Sequence, residues 1–225
     1  DEAEALAKTM VEIGNGVGRE TYAVLSDMSQ PLGRYVGNAL EVAEAVEYLK
    51  GQNIDARMHE INLELCGELL VSAKLADTLE QAKEKLQEAL NSGLALQKFQ
   101  DMVTHLGGPK DFCEDPWKYL PKANIVRPVY AKTNGIVYSM DTRGIGLSII
   151  ELKGGRTTPE QKLDYATGYS EFCQIGDTVN KKTPLAIVHA QTEEQFKQAE
   201  QRLQELITIS DKAPYPSRCI IKKIS

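Results

Sequence analysis

Through the first hundred or so residues, apolar positions recur mostly at helical spacing; past residue 125 they crowd into short runs. Residues 1–18 put Ala3, Leu6, Ala7, Met10 and Ile13 on one helical face. Thr21-Tyr22-Ala23-Val24-Leu25 is an unbroken run, which predicts a strand buried on both faces of a parallel sheet. Helices are expected over 38–50 and over 55–76, the second apolar nearly all round and so well buried. Asp77-Thr78-Leu79-Glu80 reads as a capping box opening a helix over 78–92, and another follows over 94–106, ending at Gly107-Gly108-Pro109.

The periodicity then breaks. Residues 109–124, PKDFCEDPWKYLPKAN, carry three prolines and read as a linker. Beyond it IVRPVYA, GIVYSM, GLSIIEL and TPLAIVHA are strand candidates. Thr192-Glu193-Glu194-Gln195 is a second capping box, opening a helix to about Ile209 with Phe196, Ala199, Leu203 and Leu206 on one stripe. RCIIKKI closes the chain as a last strand. The expected fold is α/β: the tail of a parallel-sheet α/β domain with helices over 1–108, a linker over 109–125, and a smaller α+β domain over 126–225. A parallel strand needs neighbours and crossovers, and no second βαβ unit follows, so the sequence reads as the back part of a longer protein.

Composition narrows the function classes. With 225 residues, 42% hydrophobic and 26% charged, the chain has the make-up of a globular protein. A net charge of −6 without a long Lys/Arg cluster argues against nucleic-acid binding. No apolar stretch is long enough to span a membrane. Cys66, Cys113, Cys173 and Cys219 stand 47, 60 and 46 residues apart, which reads as reduced thiols in a cytoplasmic protein and argues against structural zinc.

Gly14-Asn15-Gly16-Val17-Gly18 looks like a phosphate loop, but it follows a helix and precedes a strand, the reverse of the order such a loop needs. A helix end and tight turn is the reading it supports. His59, His105 and His189 are scattered, and none has an orienting partner in the sequence. Gly154-Gly155-Arg156 reads as a hairpin-like turn. No catalytic residue is assigned.

The stretch SDMSQPLGRYVGNALEVAEAV, residues 26–46, is different. It joins a strand to a helix by about a dozen residues, where such connections usually take about two to six. Pro31 stiffens it, and Gly33 and Gly37 let the backbone turn where side chains would clash. Glu41, in the first turn of the next helix, could join backbone carbonyls around a hard cation. An ordinary Glu favoured by the helix dipole is the competing reading.

That stretch resembles the corresponding part of the thymidine phosphorylase and pyrimidine nucleoside phosphorylase family. The resemblance continues through GLALQKF at 93–99, NGIVYSMDTRGIG at 134–146, LKGGR at 152–156, Gly176-Asp177-Thr178-Val179 and SDKAP at 210–214, the last closer to the thymidine-specific branch. It implies a homodimeric pentosyltransferase that cleaves a pyrimidine (deoxy)nucleoside with inorganic phosphate. It also implies a potassium ion held by the backbone carbonyls of Leu32 and Tyr35 and the carboxylate of Glu41. The family's phosphate-binding and base-binding residues match no position here, so these 225 residues alone are expected to be inactive. Thymidine as substrate is the first expectation and a broader pyrimidine range the alternative.

Two readings of another class remain open: a non-catalytic structural fragment, and a lipoyl- or biotinyl-like carrier. IGDTVNKKTPLAIVHA resembles a carrier half-repeat, and Asp211-Lys212-Ala213 matches the lipoylated tripeptide. Lys212 lies beyond an entire helix from the Gly-Asp turn, which argues against modification but leaves a hammerhead-like β fold in place.

Overall fold

A computed structural model describes residues 1–215 and 217–225. In chain order, helix α1 (Glu2–Gly16) is followed by strand β1 (Ala23–Ser26) and helices α2 (Asn38–Leu49), α3 (Ala56–Ser72), α4 (Leu79–Asn91) and α5 (Leu94–His105). A short 3-10 turn (Pro116–Lys118) precedes β2 (Ile125–Val129), β3 (Gly135–Met140), α6 (Thr142–Glu151), β4 (Gly168–Ser170) and β5 (Thr178–Val179). Then come β6 (Ala186–Ala190), α7 (Glu193–Leu206), β7 (Ile207–Ser210) and β8 (Ile220–Ile224). The chain divides into two compact units: Asp1–Asp27 with Ile54–Ala95 and Pro216–Ser225, and Met28–Asn53 with Leu96–Tyr215.

In the first unit β1 pairs antiparallel with β8, Ala23 opposite Ile224 and Leu25 opposite Lys222. This corrects the parallel strand expected of TYAVL. All four β1 residues are half-buried rather than sealed on both faces. The main-chain donors and acceptors of a strand must find partners, and here the chain's own β8 supplies them. Asp55 caps α3 by accepting the N–H groups of Arg57 and Met58, both at 3.0 Å. The Thr78 hydroxyl caps α4 at Gln81 N–H, 3.2 Å, while Gln81 reaches back to Asp77 N–H at 2.7 Å, so the box sits one residue later than predicted. Helix α3 is not buried all round: Met58, Ile61, Glu64 and Gly67 face inward, and Leu65 and Leu69 are exposed. In α1 the buried positions are Ala7 and Val11, while Leu6, Met10 and Ile13 of the predicted face are exposed. Glu64 is the polar centre of this unit, taking Lys83 at 2.6 Å and also Lys223, which bonds Glu68 at 2.7 Å.

The second unit holds two three-stranded antiparallel sheets, in the orders β2-β6-β4 and β5-β3-β7, with α6 and α7 packed against them. Its core gathers Val137, Ile145, Leu152, Val188 and Leu203 around Tyr169 and Phe172, whose rings meet edge to face at 5.7 Å. Thr192 caps α7 as predicted, accepting Gln195 N–H at 3.2 Å while Gln195 accepts Gln191 N–H at 2.9 Å. The helix stops at Leu206, short of Ile209, because β7 begins there and pairs with β3. GLSIIEL is not a strand. Asp141 caps Gly144 N–H at 2.9 Å, and α6 buries Ile145, Ser148 and Leu152 at helical spacing. Gly154-Gly155 accordingly follows a helix end rather than joining two strands, with Gly154 N–H on Ile149 O at 2.8 Å. The proline-rich segment is packed: Phe112 and Cys113 are buried, and Gln100 binds Cys113 N–H at 2.8 Å and Pro109 O at 2.9 Å. They form a small apolar cluster with Val46, Val42, Phe99 and Leu120.

Candidate functional site

The connection from Met28 to Gly37 lies wholly in the second unit and has no helix or strand of its own. It is held by side chains and short main-chain bridges. Buried Gln30 accepts Ile175 N–H at 2.7 Å. Val36 and Tyr169 exchange both main-chain hydrogen bonds, 2.9 and 2.8 Å. Arg34 is fixed from three sides. Its N–H reaches Glu44 Oε1 at 2.6 Å, its carbonyl accepts Phe172 N–H at 2.9 Å, and its guanidinium bonds Asp177 Oδ2 at 3.0 Å, Gln174 Oε1 at 3.2 Å and Phe172 O at 3.3 Å.

Two glycines allow this course. Gly37, at the N-terminus of α2, has φ 137°, and a Cβ there would stand 2.6 Å from Thr167 O. A Cβ on Gly33 would lie 2.5 Å from both carboxylate oxygens of Glu44. Glu44 itself is 7% exposed. A carboxylate so buried needs hydrogen-bond donors, and Arg34 N–H is one of them.

Of the three residues expected to hold a cation, Leu32 is exposed and Tyr35 half-buried, both in the loop. Among the described residues, neither carbonyl accepts a hydrogen bond. The Tyr35 hydroxyl lies 3.4 Å from Glu47, and burial, then the Glu47 charge, push its pKa up to about 12. Glu41 is exposed on the first turn of α2, and its Oε1 accepts Gly37 N–H at 3.0 Å. That bond satisfies one of the helix's free N-terminal donors and leaves the second oxygen available. No hydrogen bond joins Leu32, Tyr35 and Glu41 to one another among the described residues. The carboxylate set against the loop backbone between Leu32 and Tyr35 is Glu44, which the sequence reading did not single out.

An open groove of about 650 Å³ runs beside α2, lined by Ala39, Val42, Ala45, Phe99, Leu120 and Tyr165, with Asn38 and Glu41 along it. Asn38 donates to Gly154 O at 2.8 Å, and Ala39 N–H to Tyr165 O at 3.0 Å. The groove is mostly apolar, and the polar groups along it do not converge on one point, so it shows no catalytic array.

The other candidates lie outside this loop. His189 Nε2 meets Ser170 Oγ at 2.8 Å, and burial lowers the His189 pKa. His105 Nδ1 contacts Asp101 O one turn earlier, at 2.7 Å. Gly14 to Gly18 ends α1, with Val17 N–H on Ile13 O at 3.2 Å and Arg19 N–H on Gly14 O at 2.9 Å. Lys212 lies just past β7 and is exposed, with α7 between it and the Gly176-Asp177 turn. Among the described residues no group of three or more His, Cys, Asp or Glu could hold a metal ion, and no helix is long and apolar enough to cross a membrane. A site built on main-chain carbonyls leaves no such side-chain cluster to find.

Two family models match the chain. That of the glycosyl transferase family a/b domain covers residues 1–96, and that of the pyrimidine nucleoside phosphorylase C-terminal domain covers residues 136–210. The chain belongs to the pyrimidine nucleoside phosphorylase family. It is a family of pentosyltransferase-type enzymes. The mixed α/β fold, an a/b domain followed by a small C-terminal domain, agrees with the class expected from the sequence. In this phosphorylase chain the loop at 28–37 falls in the first matched region, and the segment 169–177 that holds it falls in the second.

Proposed function

We propose that the enzyme to which this chain belongs is a thymidine phosphorylase. A phosphate oxygen attacks the anomeric carbon of the deoxynucleoside and the glycosidic C–N bond breaks. The base leaves with the bonding pair and takes up a proton, giving thymine and 2-deoxyribose 1-phosphate. The observation that carries this is the joint match of residues 1–96 and 136–210 to the two parts of the family. The SDKAP run at 210–214 favours thymidine over the broader pyrimidine range.

The contribution of this chain is a framework beside the phosphate. The Leu32 and Tyr35 carbonyls and a carboxylate from α2 are donors suited to a potassium ion, a cation that takes oxygen ligands and tolerates loose geometry. Glu41 and Glu44 both stand at the loop. Glu44 is the better placed, because it is buried against Gly33 and Arg34 while Glu41 caps Gly37. The ion would neutralise charge and stiffen the loop, and the chain's residues hold the loop in position for it.

The test is thymine release from thymidine by an intact enzyme carrying this chain, with and without inorganic phosphate and against uridine. Phosphate-dependent release with thymidine preferred is the expected result. Equal release without phosphate would exclude phosphorolysis, and equal use of uridine would favour the broader range.

A further inference from the structure

Loops that align a reacting group work only as well as they are held, and the hold on this one comes from an unexpected direction. Glu44 on α2 holds the Arg34 N–H. The Arg34 carbonyl and guanidinium, the flanking Val36 bridge and the Gln30 contact reach residues 169–177, within the match to the C-terminal domain.

We propose that Arg34 is a positioning residue for the reaction. Its clamp on Phe172 O, Gln174 and Asp177 lets the C-terminal domain set where the Leu32 and Tyr35 carbonyls stand. The inference rests on the reading of this loop as the brace of the phosphate site. Arg34 lies between the two carbonyls; its N–H is held by Glu44 and its C=O by Phe172, and its guanidinium ties the same stretch of loop to Phe172 O, Gln174 and Asp177. The receiving end is also prepared. Asp177 Oδ2 accepts Gln174 N–H at 2.8 Å as well as the Arg34 guanidinium, so the turn at 174–177 is closed by the carboxylate that receives Arg34. A guanidinium fork is needed here, because it meets three acceptors in fixed directions where an ammonium would meet one or two.

The Arg34 and Asp177 side chains are 41% and 37% exposed, so solvent screens the pair and the effect expected is modest. In the intact enzyme, Arg34→Gln and Asp177→Asn should each raise the phosphate KM and the half-saturating potassium concentration by about three- to tenfold, with kcat changed less. The double variant should fall short of the sum of the two singles, since both act on the Arg34–Asp177 contact. Arg34→Lys should recover only part of the loss. Arg127→Ala, which breaks the comparably exposed pair with Glu193 at 2.6 Å away from the loop, is the control and should leave both constants unchanged.

Hydrogen exchange on the same variants gives a readout that does not depend on the cation. Amides of residues 32–37 should exchange faster in Arg34→Gln and Asp177→Asn than in Arg127→Ala. Unchanged exchange there, or faster exchange with wild-type phosphate KM, overturns the positioning role. If wild-type enzyme shows no potassium dependence, the cation reading fails separately, and the phosphate KM and exchange results still decide the clamp.

Discussion

The two compact units solve burial in different ways. In the second, sixteen buried residues form one cluster around Tyr169 and Phe172, contributed by six strands, two helices and the segments that join them. In the first, the buried apolar residues are few and mostly small (Ala7, Val11, Ala76, Ala82), and Leu6, Met10, Ile13 and Leu69 stay exposed. What holds the first unit is the contact of α3 with α4, a two-stranded ribbon, and a set of ion pairs centred on Glu64 and on Arg57 with Asp27. A dense apolar core resists change of volume, while a polar framework resists loss of charge. The loop at 28–37 belongs to the unit with the dense core, which on the proposed reading of the loop is the better support for a positioned group.

The largest expected effect breaks the dense core. Tyr169→Ala removes a ring with no exposure and leaves Ser148 Oγ, 2.7 Å from the lost hydroxyl, without that partner. The cost should be about 3–5 kcal/mol, against about 0.5 kcal/mol or less for Leu69→Ala on α3. Urea unfolding of both variants checks the contrast, and equal losses would remove it.

A smaller effect is expected at Glu64. Burial alone would raise its pKa, but Lys223 and Lys83 outweigh it and hold the carboxyl below its ordinary value of 4.5. With the folded pKa depressed, the stabilisation is complete above 4.5 and is lost as pH falls through the folded value. Glu64→Gln should cost about 1–2 kcal/mol at neutral pH and lessen the loss of stability below pH 4.5. Thermal melts of both proteins from neutral pH down into the acid range test it, and parallel curves would count against Glu64.

The smallest effect concerns thiol reactivity. Cys66 is exposed, whereas burial pushes the Cys173 thiol up to about 12 and raises Cys113 and Cys219. Alkylation at neutral pH should mark Cys66 first and Cys173 last, since the thiolate is the reactive form. Peptide mapping over time gives the order.

Much of the fold was legible because its signals are local. The Thr192–Gln195 box set the start of α7 within the sequence itself, and the order helix, glycines, strand excluded a phosphate loop at 14–18. The failures lie where tertiary pairing decides. TYAVL looks the same whether its neighbours are parallel or antiparallel, and β8 is almost two hundred residues away. GLSIIEL carries the isoleucines of a strand, and the cue for a helix was Asp141, the cap three residues before Gly144. At the site, the course of the loop could be read from Pro31, Gly33 and Gly37. Its internal carboxylate could not, because Glu41 and Glu44 differ in sequence only by one helical turn. The available cue was that Glu44 falls four residues after Leu40, on the face that also buries Ala43. Arg34 gave no local cue at all, since its acceptors lie some 140 residues further along.

The central claim is that a carboxylate buried under the loop, within the densely packed unit, keeps the phosphate site in order. Its most direct test is the phosphate KM measured across a potassium titration for Glu44→Gln, beside Glu41→Gln, in the intact enzyme. Matched sodium holds ionic strength constant. A neutral amide keeps the shape but loses the charge that offsets the dehydration of a cation. Glu44→Gln should show a raised phosphate KM with little response to potassium, and Glu41→Gln a smaller change that potassium largely restores. Wild-type potassium response in Glu44→Gln, with the response lost in Glu41→Gln instead, would contradict the account.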